Sequence, residues 1–250
     1  MRSHSSPFKL GLRLDALLRA ATCAILGDDG APLPVGRLST GDEALDAILG
    51  GGLPEGRLVE LYGPPGSGKT ALALRMAAAA QREGAVAWLD AEGAFEATRA
   101  ASMGIDLDRL VVARPNDGEQ ALQLAEALLR SRSCALLVVD SVAALLPRAE
   151  LKVALGEAAP GLQARMLSLG LRRVVHAGLS SGCVALFLNQ TRLALDGPQP
   201  LQVTAGGSAL RFYAALRLEL LQGATGAAVR VVKHRHGQEG LTAALGPHAA

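Results

Sequence analysis

Eight residues, GPPGSGKT at positions 63–70, join three glycines, two prolines, a lysine and a threonine. The pattern G-x-x-x-x-G-K-T suits one task, wrapping a chain of phosphates. Gly63, Gly66 and Gly68 open backbone paths on which successive N–H groups turn inward around an anion. A helix-like run starts at once after the loop and adds its positive end. Gly63, Pro64, Pro65, Gly66, Ser67, Gly68, Lys69, Thr70 and Ala71 are therefore the expected nucleotide cradle. Lys69 would reach the β- and γ-phosphates and the Thr70 hydroxyl would ligate Mg²⁺, so the implied ligand is ATP with Mg²⁺.

Such a loop needs partners on neighbouring strands. LLVVD closes an apolar run at Asp140, placed to hold the hydration shell of the same cation beside Thr70. AVAWLDAEG closes another run at Asp90 and Glu92. Strand ends of a parallel sheet share one edge, so Glu92 is the candidate general base for hydrolysis, with Asp90 in support. A solvated acidic turn is the competing reading. FLNQTR ends a further run at Gln190, whose neutral amide could sense a γ-phosphate or merely cap a strand. Lys69, Glu92 and Gln190 form the candidate catalytic set.

The elements that must position these groups are legible as apolar runs bounded by turns. They fall at 57–63, 85–90, 109–115, 134–140, 183–190, 216–221 and 228–234. Most are continuous rather than alternating, as in strands buried on both faces. Helix-period segments lie between the earlier ones, at 70–83, 118–131 and 162–178. This predicts an α/β fold, a P-loop nucleotide-binding domain whose mostly parallel central sheet has helices on both faces. The last two strands have no room for a helix between them and read as an antiparallel hairpin across Gln222–Ala227. Residues 1–36 stand apart as a short amphipathic helix, at 12–21, and a linker. That helix could pack on its own core or act as an arm reaching another subunit.

Composition narrows the class. The chain has 250 residues, half of them hydrophobic, and a net charge of +2, so any nucleic-acid surface must come from local clustering of Arg and Lys. Cys23, Cys134 and Cys183 are too few and too far apart for a metal site or a disulfide framework. A reduced, cytoplasmic setting is expected, with no membrane span and no signal peptide.

From about Arg37 to about Arg235, a series of motifs resembles the bacterial RecA recombinase family in order and near-identical spacing. They are LSTGDEALDAILGGGLPEGRLVELYGPPGSGKT, WLDAEGAF, VVDSVAALLPRAEL, GLQARMLSLGLRR, FLNQTR and TAGGSALRFYAALRLEL. The resemblance implies a RecA-type core over 37–235 with a tail at 236–250. It implies a DNA-dependent ATPase that binds single-stranded DNA in recombination and repair. Glu92 matches the water-activating glutamate, and Gln190 the glutamine that links the γ-phosphate to DNA binding. Residues 150–162 and 191–208 fall on the two DNA-binding loops. Arg165, Ser168, Arg172, Arg192, Gly206, Gly207 and Ser208 match positions near the DNA backbone. Arg99 stands where the family has an adenine-stacking tyrosine. Phe212 matches a residue that couples neighbouring subunits. Lys233 and Arg235 match two lysines that reach the next subunit's ATP, which implies self-association through ATP-bridged interfaces.

The sequence also departs from the family. Its second loop has no aromatic residue, and it stops soon after VVKHRHGQEG, as a trimmed core would. The alternative is an ImuA-like accessory protein in SOS mutagenesis, partnering a recombinase or translesion polymerase. A ring-forming ATPase of KaiC or helicase type is a further, weaker resemblance.

Overall fold

In this computed structural model, residues 35–152, 161–194, 201–223 and 226–246 are described. The expected helix at 12–21 lies outside them, as do Cys23 and most of the first loop. Two short strands, β1 (Arg37–Leu38) and β2 (Leu53–Pro54), pair antiparallel around helix α1 (Glu43–Leu49), which Asp42 caps by accepting the Leu45 N–H.

The central sheet is built from β3 (Leu58–Gly63), β4 (Ala85–Asp90), β5 (Leu110–Ala113), β6 (Cys134–Asp140), β7 (Val184–Ala194), β9 (Leu216–Gly223), β10 (Gly226–His234) and β11 (Thr242–Ala244). Their spatial order is β11-β10-β9-β3-β7-β6-β4-β5, with β8 (Leu201–Thr204) pairing β7 off this path. From β9 to β5 every neighbouring pair is parallel. β10 and β11 add antiparallel strands at the other edge, so the expected hairpin is present.

Helix α2 (Lys69–Ala80) packs on one face, in a core with Leu72, Met76, Trp88, Leu136 and Leu186. Helices α4 (Gly118–Ser131) and α5 (Leu162–Ser181) pack on the other, with Leu122, Leu129, Leu167, Leu171 and Phe187. Among the described residues two further short helices occur, α3 (Ala97–Ser102) after β4 and α6 (Ala209–Tyr213) before β9. The continuous apolar runs thus face helices on both sides, as the sequence predicts. Among the described residues no helix is long and apolar enough to cross a membrane.

The structure shifts some boundaries. Helix α2 ends at Ala80, three residues before the expected end at 83, and α5 continues to Ser181. Strand β7 runs four residues past Gln190 into the span expected to be a loop. Thr191, Arg192, Leu193 and Ala194 pair with Thr204, Val203, Gln202 and Leu201. The β-branched threonines and valine favour this ribbon, so the second loop is carried on a hairpin. The core also passes the expected boundary at Arg235. Residues 242–244 join the sheet beside β10, Ala243 is buried, and Leu241 and Leu245 pack onto the core.

Candidate functional site

Gly63 ends β3 level with Gln190 on β7. A Cβ at Gly63 would stand 2.7 Å from the Leu220 carbonyl oxygen of β9, so close approach of two backbones requires the glycine. Gly66 and Gly68 are needed for a different reason, since their φ values are +73° and +92°. Gly68 then caps α2, which begins at Lys69. The Gln222 amide donates to the Ser67 carbonyl at 2.9 Å, a strut from β9 to the loop. The Lys69 ammonium donates to the carbonyls of Gly63 at 3.2 Å and Pro64 at 2.7 Å, and lies 3.4 Å from Ser67 Oγ. Burial holds its pKa below the usual lysine range, against the opposing pull of Asp140 and Glu92.

Thr70 Oγ1 donates to Asp140 Oδ2 at 3.1 Å, joining the start of α2 to the end of β6. Asp140 is level with Asp90 across β6 and β4. The backbone N–H groups of Ala91 and Glu92 both donate to the Asp140 carbonyl, at 2.8 and 3.2 Å, which draws Glu92 over the end of β6. Asp90 is not among the residues that line the cleft. Its carboxylate accepts the Ala94 and Phe95 N–H groups and pairs with Arg114 at 2.9 Å, so it shapes the turn that presents Glu92. Glu92 Oε1 accepts a bond from Ser141 Oγ and another from the Gln190 amide at 3.2 Å. The Asp140–Ser141 peptide is cis.

These groups line one cleft of about 300 Å³, together with Pro65, Gly66, Gly68, Ala71 and Arg99. Burial, then the Glu92 carboxylate and, more weakly, that of Asp90, push the Asp140 carboxyl up to about 6, opposed by the Thr70 bond and Lys69. Clustered negative charge with hydroxyl and carboxylate oxygens is a donor set that fits Mg²⁺. Among the described residues no three His, Cys, Asp or Glu side chains gather as an all-protein metal cage. A cation held by Thr70 and Asp140 would therefore complete its shell with phosphate oxygens or water.

A second surface forms beside this cleft. Helix α5 buries Met166, Leu167, Leu171 and Val174 and leaves Arg165, Ser168 and Arg172 exposed. The turn at Gly206–Gly207 lies against it, so close that a Cβ at Gly206 would meet Leu167 and one at Gly207 would meet Ala164. Both glycines have positive φ. Arg192 is exposed on β7, and Ser208 is exposed at the start of α6.

Comparison with known proteins identifies the family to which this fold belongs. The family model for the RecA N-terminal domain matches residues 18–236. The chain belongs to the RecA family. It is 47% identical over 201 residues to Protein RecA of Blastochloris viridis, covering 78% of this chain and 57% of that protein. It is 48% identical over 195 residues to Protein RecA of Crocosphaera subtropica, covering 77% and 56%. With Protein RecA of Chlorobium chlorochromatii it shares 45% over 219 residues, covering 85% and 62%. The chain thus spans somewhat over half the length of these curated relatives.

Two residues suggested by the RecA resemblance lie away from the cleft of their own chain. Lys233 is level with Arg217, and Arg217 with Glu60, so Lys233 sits three strand positions short of Gly63 and two strands away. Its ammonium donates to the carbonyls of Arg211 and Phe212, at 2.7 and 3.3 Å. Arg235 donates to Phe212 at 2.8 Å. Both cations therefore border Phe212, which is 66% exposed.

Several residues that support this site from outside its lining, and Ser141 within it, escape a reading of the motifs. Ser141 holds Glu92 and was visible only as the residue after Asp140. Gln163, on the first turn of α5, donates to the carbonyls of Val142 and Leu145 and ties that helix to the turn leaving the cleft. Glu60, Asn189 and Arg217 are buried in the middle of apolar strands. A polar or charged residue inside such a run was the available signal.

Proposed function

We propose that this protein is a Mg²⁺-dependent ATPase of recombination and DNA repair that binds single-stranded DNA and self-associates. The convergence of Lys69, Thr70, Asp140, Glu92 and Gln190 on one cleft carries the reading. The amides between Gly66 and Ala71 and the start of α2 suit a triphosphate, and Arg99 is placed to stack on the base as a planar cation. Thr70 and Asp140 would hold Mg²⁺, which would offset the charge of the phosphates. Glu92 takes the proton of the attacking water, oriented by Ser141 and Gln190.

Arg165, Ser168 and Arg172, with the Gly206–Gly207 turn, Ser208 and Arg192, support a phosphate-contacting face for single-stranded DNA. Arg165 and Arg172 lie seven residues apart on one side of α5, suited to a single run of phosphates. Lys233 and Arg235, out of reach of their own cleft, suit the cleft of a second copy, with Phe212 packed in the same interface. The RecA relatives favour this reading over the accessory role.

The test is ATP turnover with and without oligo-dT, beside sedimentation of the protein with a slowly hydrolysed ATP analogue. DNA-stimulated turnover and nucleotide-dependent assembly are expected. Turnover indifferent to DNA, or a constant monomer, would overturn the DNA-dependent and self-associating parts respectively.

A further inference from the structure

Asn189 precedes Gln190 on β7 and is fully buried. Its side-chain oxygen accepts the Gln190 N–H at 2.8 Å. Its amide donates to Glu60 Oε1 at 2.9 Å and to the Ala205 carbonyl at 3.1 Å. Ala205 donates its own N–H back to the Gln190 carbonyl at 3.2 Å. Glu60 is fixed on its other oxygen by Arg217 at 2.5 Å, whose guanidinium lies 4.7 Å from the Tyr62 ring centre.

Asn189 therefore clamps the two segments at the base of the β7–β8 hairpin that carries the second loop. One holds Gln190, whose side chain touches Glu92. The other begins at Ala205 and runs directly into the Gly206–Gly207 turn against α5. Glu60 anchors the clamp to β3, the strand that ends in the phosphate loop. A buried amide held by three hydrogen bonds to three segments has little room to turn, so a shift of the Gln190 backbone is passed to Ala205 rather than absorbed.

We infer that Asn189 is a positioning residue that couples nucleotide binding to the DNA face by locking Gln190 to Ala205. This rests on the reading that the chain binds both ATP and single-stranded DNA. The clamp neither touches nucleotide nor contacts DNA. It sets how far occupancy of one site changes affinity at the other.

The test replaces Asn189 with leucine, similar in shape but without hydrogen-bonding atoms. Affinity for a fluorescent oligo-dT is measured with and without a slowly hydrolysed ATP analogue, alongside calorimetric binding of that analogue. The parent protein should show a nucleotide-dependent gain in DNA affinity; no gain would refute the underlying reading and this inference with it. Asn189→Leu should bind the analogue within about threefold of the parent, yet lose at least about tenfold of that gain. A gain that persists undiminished in Asn189→Leu overturns the clamp while leaving the function intact. Equal losses at both sites would mark a merely structural role and also overturn it. Hydrogen exchange on the unaltered protein provides a second route should the variant fail to fold. The Gln190 and Ala205 amides should gain protection together when the analogue binds, and an unchanged Ala205 would contradict the inference.

Discussion

The Gln190 amide donates to Glu92 Oε1 at 3.2 Å although their strands, β7 and β4, are separated by β6. The bond spans the strand that ends in Asp140, so the candidate base, the cation ligand and the sensor amide form one layer over the sheet edge. Ser141 closes that layer from below by donating to the same Glu92 oxygen.

Loss of Glu92 should therefore separate chemistry from binding. Glu92→Gln is expected to lower ATP turnover by about 10²- to 10⁴-fold, the range general-base catalysis supplies, with nucleotide affinity held. Ser141→Ala removes an orienting bond rather than the base and should cost about tenfold in kcat, with KM nearly constant. Steady-state kinetics on both variants checks the ranking, and a Ser141→Ala defect as large as that of Glu92→Gln would contradict it.

The exposed pair on α5 gives an electrostatic prediction. Replacing Arg165 and Arg172 with alanine should weaken oligo-dT binding. It should also flatten the plot of log affinity against log salt by about 1.4, or about 0.7 for each single-strand phosphate that an arginine no longer neutralises. A fluorescence titration at several salt concentrations reads this slope. An unchanged slope would move the DNA elsewhere.

Glu60 and Arg217 make a buried ion pair between β3 and β9, with side chains 0% and 8% exposed. Arg217→Met strands the Glu60 carboxylate and should cost about 3–5 kcal/mol in urea unfolding. Adding Glu60→Gln keeps an acceptor for Asn189 and removes the stranded charge, so the double variant should recover most of that loss. A double variant no more stable than Arg217→Met would show that packing, not charge, sets the cost.

Asp117 caps α4 by accepting the Gln120 N–H at 2.7 Å and holds Arg148 at 2.9 Å, just before the first loop. The Arg148 bond holds its carboxyl below the usual aspartate range. A depressed folded pKa adds stability that is complete above the unfolded value and fades as pH falls through the folded one. Asp117→Ala should cost about 1 kcal/mol near neutrality through the lost cap. The gap between the parent and Asp117→Asn, which keeps a capping oxygen but no charge, should close as pH drops below about 4. Urea midpoints across that range are the measurement.

The parallel sheet and its order of strands and helices were legible because buried strands leave unbroken apolar runs and α4 carries a regular stripe. The phosphate loop was legible because its parts are contiguous. Glu92 and Gln190 were visible only as polar residues at strand ends, and it took the fold to bring them within bonding distance. Ser141, Gln163 and Asn189 were hidden because each acts through partners 16 to 129 residues away. The second loop's hairpin was missed because its flanks are only four residues each and mix polar with apolar residues, although Thr191 and Thr204 pair directly. Strand β11 was missed because Thr-Ala-Ala has no strand pattern of its own and is ordered by the edge of β10.

Calorimetric titration of Mg·ATP into the protein, set against Lys69→Ala, bears most directly on the central claim that the loop from Gly63 to Thr70 wraps a triphosphate. The expected result is saturable, magnesium-dependent uptake of one nucleotide per chain that falls by at least about tenfold when Lys69 is replaced, since a charge-assisted bond to phosphate disappears. No uptake by the parent protein, or equal uptake by both, would contradict the account.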